Sequence, residues 1–131
     1  MKNLLSFFLV MLVTTPLIGC AKREPIYDVQ HHIMSDNAKR MSYSEIEKAI
    51  IAVARQRGWE CNQQDTNKIV CHIQRREHQA DIAIEYTHNQ FSIKNIKTSN
   101  LDQEEGEIHK KYNKWVKLLE KEITNEIQKK R

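Results

Sequence analysis

Glycine and proline are scarce in this chain, three and two among 131 residues, and that scarcity excludes much phosphate chemistry. A loop that cradles a nucleotide phosphate needs closely spaced glycines, and none are spaced so here. Serine hydrolase signatures are missing too, because Ser42, Ser92 and Ser99 lie in no GxSxG context. The three cysteines form neither a CxxC redox pair nor a zinc cage. The formal net charge is only +4, one less once Lys2 is removed, and it is spread through mixed-sign sequence. Nucleic-acid binding calls for a clustered basic face with a reading motif, so nucleic acid is not an expected partner. Long apolar runs are absent save one, Leu4 to Val13. It falls short of the roughly 20 apolar residues that cross a bilayer as a helix.

That one run is informative by position. Lys2 precedes it, and Leu17-Ile18-Gly19-Cys20 follows. A basic start, a short apolar core and a small residue before a cysteine compose a bacterial lipoprotein signal. Residues 1–19 are therefore expected to be cleaved. Cys20 is expected to carry diacylglycerol and an acyl chain, with no other cofactor and no metal. Ala21 stands where an aspartate would commonly retain a lipoprotein in the inner membrane. The expected location is the outer membrane, facing the periplasm.

With Cys20 committed to lipid, Cys61 and Cys71 remain as an even pair in an oxidising compartment, which is the setting for a structural disulfide. Residues 20–41 carry Pro25, the His31-His32 pair and Ser35-Asp36-Asn37 without a sustained apolar period. They are expected to form a flexible tether, with Ile26 to Val29 as a patch able to dock as a strand or turn. Residues 42–131 are expected to form one domain.

That domain is expected to be α+β, a two-layer sandwich of helix, antiparallel meander of three or four strands, and long C-terminal helix. Ser42 with Glu45, or Ser44 with Glu47, makes a capping box. Ile46, Ala49, Ile50 and Val53 then form one apolar stripe, and Gly58 is the stop. From Trp59 to Lys97 the apolar period changes to two. A turn at His88-Asn89 sets Tyr86 against Phe91 and Ile84 against Ile93, and a loop around Thr66 sets Cys61 against Cys71. A turn at Glu77-His78 would set Ile73 against Ile82. Ile108, Tyr112, Trp115, Leu119, Ile123 and Ile127 mark the last helix, with Trp115 expected in the core. Glu104, Glu105 and Glu107 are expected at the helix start, where the macrodipole favours them.

Candidate interaction residues follow from side-chain chemistry. Six histidines invite a metal, but His72, His78, His88 and His109 share no HxxH or HExxH spacing, so no metal site is expected. His109 and Asn113, four apart around Tyr112, could form a polar recognition spot or tie a loop to the helix. Lys110, Lys114, Lys117 and Lys121 recur along one helical face. They suit an anionic partner, although Glu120, Glu122 and Glu126 dilute the field and a solvated face is the plainer account.

Four segments, Arg76-Glu77-His78-Gln79-Ala80-Asp81-Ile82-Ala83-Ile84-Glu85-Tyr86, Phe91-Ser92-Ile93, Ser99-Asn100-Leu101 and Ile108-His109-Lys110-Lys111-Tyr112-Asn113-Lys114-Trp115-Val116, together resemble a family of small proteobacterial lipoproteins. Its pattern is R-x-H-x-A-x-(V/I)-x-I-x-Y, Y-S-I, S-x-N-L and I-H-x-x-Y-N-x-W-(I/V). The chain departs from it at Phe91, where the family often has tyrosine, and at Lys94-Asn95-Ile96. The family has no established activity, so the resemblance implies fold and envelope location. It also marks Arg76, His78, His109, Tyr112, Asn113 and Trp115 for attention.

The expected function is a non-enzymatic, lipid-anchored envelope module that contacts protein, glycan or anionic lipid. The alternatives are a small periplasmic hydrolase, a protease-inhibitor-like domain, or an accessory subunit of an envelope assembly. A hydrolase would require His78, His109 and a carboxylate to converge in a deep pocket. The oligomeric state has no sequence signature.

Overall fold

A computed structural model describes residues 22–130, so the signal segment and Cys20 lie outside the described residues. The fold is α+β. In chain order it comprises β1 (Arg23–Pro25), β2 (Val29–Ile33), a 3-10 turn (Asp36–Arg40), α1 (Tyr43–Gln56), β3 (Trp59–Asp65), β4 (Lys68–Arg75), β5 (His78–Tyr86), β6 (Gln90–Ser99), β7 (Glu107–His109) and α2 (Lys110–Lys129). Five strands form an antiparallel sheet in the order β2-β6-β5-β4-β3, and β1 pairs with β7 in a small second sheet. α1 packs on α2 and β3. Together with one face of the large sheet, the helices enclose a core of Ile46, Ile50, Trp59, Ile69, Ile82, Ile84, Phe91, Tyr112, Leu119 and their neighbours.

Local chemistry accounts for the frame. Ser42 caps α1, its Oγ accepting from Glu45 N at 3.1 Å, which selects the first of the two possible boxes. Gly58 follows the helix at φ +89°, a conformation that favours glycine. A Cβ there would also meet Arg75 Nη2 at 2.9 Å. Tyr86 pairs with Phe91, Ile84 with Ile93 and Cys61 with Cys71, in the registers the alternation predicts. Cys61 and Cys71 are joined by a disulfide across β3 and β4, their Cα atoms 4.1 Å apart.

Four expectations are corrected. Residues 22–41 are not a flexible tether: they supply two strands and a 3-10 turn, and bury Val29, Met34, Ala38 and Met41. These elements are too short for a period to show, and β2 exists because β6 offers it a free edge. The β4–β5 turn is Arg76-Glu77, so Ile73 faces Ala80 and Cys71 faces Ile82. A two-residue shift preserves the buried face, which is why alternation alone did not fix it. Trp115 is half-buried beside the core, whereas Val116 and Trp59 lie within it. Finally, α2 has no acidic residue in its first turn. Glu104 and Glu107 instead close a tight turn by paired main-chain hydrogen bonds of 3.0 and 2.9 Å, and β7 intervenes before the helix.

Candidate functional site

Two adjoining concavities, of about 440 and 190 Å³, lie where the end of β4 meets α2, and they share Arg75 and Trp115. The larger is lined by Gln74, Arg75, Arg76, His78, Lys111 and Trp115. The smaller continues past Trp115 to Leu118, beside Arg57, Trp59 and Ile73. Helical spacing explains one wall, since Lys111, Trp115 and Leu118 stand at i, i+4 and i+7 on one flank of α2. The β4–β5 hairpin builds the other wall. Arg76 sits at its apex with φ +55°, a left-handed conformation disfavoured for a side chain with a Cβ.

The lining is basic and contains no carboxylate. Among the described residues, Arg75, Arg76 and Lys111 have no ion-pair partner, whereas Arg23, Arg57, Lys39, Lys97 and Lys130 each face an acidic side chain. Arg75 is held in place structurally, its Nη2 donating to Arg57 O at 2.6 Å. His78 Nδ1 lies 2.6 Å from Asn100 O. A carbonyl only accepts, so Nδ1 carries the proton. His78 Nε2 lies 3.4 Å from Lys111 Nζ.

His109 stacks 6.5 Å from His78 and is the N-cap of α2, its Nδ1 accepting from Lys111 N at 3.0 Å. Burial holds its imidazole below the ordinary histidine range. The positive charge of Lys111 adds to this, as do His78 and Lys22, while Asp102 pulls the other way. A protonated Nδ1 could not accept, so the cap requires the neutral ring.

The remaining candidates separate by role. Asn113 is 2 % exposed. Its Oδ1 accepts from Tyr27 N at 2.9 Å, and its Nδ2 donates to Glu24 Oε1 at 2.9 Å and Pro25 O at 2.8 Å. It ties the N-terminal segment to α2 and is unavailable as a recognition group, so the structure parts it from His109. Lys110, Lys114, Lys117 and Lys121 are all exposed. Lys117 Nζ rests 5.0 Å from the Tyr27 ring centre, and none of the four lines the concavity. Arg76 and His78 do. Trp115, which the resemblance also marks, lines it with them, and Arg75 and Lys111 complete the site without having been singled out. The i, i+4 relation of Lys111 to Trp115 was the available signal.

A second polar cluster occupies the sheet face turned away from the helices. Register sets Glu60 opposite His72, His72 opposite Asp81, and Asp81 opposite Lys97. His72 Nδ1 lies 2.5 Å from Asp81 Oδ1, and Lys97 Nζ lies 3.7 Å from Oδ2. These charges face partners of opposite sign, so the row leaves less unmet charge than the groove does. Among the described residues, no three histidine, cysteine, aspartate or glutamate side chains are grouped to hold a metal ion. No helix there is long and apolar enough to cross a membrane.

Fold and site define a small disulfide-linked α+β domain with a basic, aromatic-walled groove between its β4–β5 hairpin and C-terminal helix. Comparison with protein-family models, curated proteins and solved structures returned no match.

Proposed function

We propose that this protein is a lipid-anchored module of the bacterial envelope, non-enzymatic, held by acylated Cys20 in the outer membrane and presenting its domain to the periplasm as a contact surface. The observation that carries this reading is the attachment of the first described residues to the domain. Lys110 N donates to Lys22 O at 2.9 Å, and Arg23 pairs with His109. Two residues of extended chain span at most about 7 Å. A lipid on Cys20 would therefore hold the domain close to the bilayer. The lipoprotein signal in the sequence and the resemblance to small proteobacterial lipoproteins support the same location.

The groove supports contact over catalysis. Hydrolysis by His78 and His109 would need a carboxylate or nucleophile within their reach. The concavity is lined by arginine, lysine, glutamine and tryptophan, and Asp102, the carboxylate whose charge acts on His109, is not among its lining residues. Cross-linking in the native envelope, comparing the full-length protein with Cys20→Ser, tests the reading. Wild-type protein in the membrane fraction, with a discrete cross-linked partner or lipid lost in the variant, is the expected result. A wild-type protein released in soluble form, as the variant should be, would contradict it.

A further inference from the structure

Resting on the anchored reading above, we propose that the groove between the β4–β5 hairpin and α2 docks onto the anionic headgroups of the membrane that holds Cys20. Arg76 and Lys111 would meet the phosphates, and Trp115 with Leu118 would enter the interfacial layer. Three independent features of the structure meet in this surface.

The first is charge. The groove brings Arg75, Arg76, His78 and Lys111 together without a carboxylate. Basic groups close to an anionic leaflet are attracted to it, and the attraction fades within about a Debye length. The second is its apolar part. Trp115 is half-buried and Leu118 is 38 % exposed, one of three large apolar side chains left open to solvent among the described residues. A tryptophan flanked by cations is the amphipathic combination favoured at headgroup depth. The third is position. Lys110 N holds Lys22 O at the start of α2, one residue before Lys111, which lines the groove. A lipid on Cys20, two residues before Lys22, would raise the effective concentration of headgroups at the groove.

The backbone at Arg76 agrees with this assignment. An arginine held at φ +55° in a two-residue turn, where glycine would be unstrained, fits a position kept for its side chain.

The test uses the full-length acylated protein in vesicles of phosphatidylcholine alone and of equimolar phosphatidylcholine and phosphatidylglycerol. Acrylamide quenching reports on Trp115, because Trp59 is 1 % exposed and already shielded. The proposal expects quenching to fall about twofold in the anionic vesicles, a fall lost at high salt and lost in Arg76→Glu/Lys111→Glu. Lys114→Glu changes charge at an exposed position outside the groove and should retain the protection. The wild-type comparison between the two vesicles stands even should the double variant fail to fold. Protein that floats with both vesicles but is quenched equally in each would overturn the docking and leave the anchor intact. Protein that floats with neither would remove the anchor and the docking together. If the double variant loses a cross-linked envelope protein while Trp115 is never shielded by lipid, the groove serves an acidic protein partner and the proposal is wrong.

Discussion

Asn113, buried in the second turn of α2, holds Tyr27 by its main-chain amide and Pro25 by its carbonyl, across 86 and 88 residues of sequence. One side chain therefore fastens the N-terminal segment to the C-terminal helix. Asn113→Leu would leave Tyr27 N and Pro25 O without partners, at a cost of about 2–4 kcal/mol. Chemical denaturation would measure this loss. Amide exchange at Tyr27 should accelerate at the same time, and unchanged exchange there would show that another contact holds the segment.

The two tryptophans should behave differently on truncation. Trp59 is buried in the core, and Trp59→Ala should cost about 3–5 kcal/mol. Trp115 keeps part of its surface in water, so Trp115→Ala should cost no more than about half of that. Equal losses in thermal unfolding would mean that Trp115 belongs to the core after all.

Stability should fall in mildly acidic solution because of His109. Its folded-state pKa lies below the ordinary value of 6.5, so below that pH the unfolded chain binds the proton more readily. The contribution is complete above about pH 6.5 and is lost as pH falls through the lower folded value. Lys111, His78, Lys22 and Asp102 surround the ring and set the size of the effect. His109→Asn keeps an acceptor for Lys111 N but has no proton to gain. Melting curves between about pH 7.5 and 5.5 should be flatter for this variant than for wild type. Parallel curves would assign the acid sensitivity to other groups.

Arg76→Gly relieves a left-handed residue at the hairpin apex. The gain, less the extra freedom of glycine in the unfolded chain, should be about 0.5–1 kcal/mol. A destabilised variant would show that the Arg76 side chain supports the hairpin and is not held there against strain.

The sequence makes parts of this fold readable for physical reasons. Strong periodicity identifies α1, the β3–β6 meander and the apolar stripe of α2, and the Cys61–Cys71 pairing follows from register. β1 and β2 escape notice because strands of three and five residues pairing with distant β7 and β6 leave no local pattern. His32 illustrates the difficulty. Its ring reaches Glu120 at 2.8 Å and Thr124 at 3.1 Å, 88 and 92 residues away, which no spacing announces. The groove was half legible. Arg76 and His78 were marked by the motif that contains them, but Lys111 joins them only because α2 crosses beside the hairpin. Asn113 is legible as a residue that ties chain to helix, but not what it ties, since its partners lie at the other end of the chain.

The proposed function rests on acylated Cys20 anchoring this domain to the envelope. Intact mass and N-terminal peptide mass of the mature protein, isolated from its own membrane, test that most directly. A chain beginning at Cys20, its first residue carrying diacylglycerol and an acyl chain, is the expected result. A mature protein that retains residues 1–19, or one with an unmodified thiol at Cys20, would contradict it.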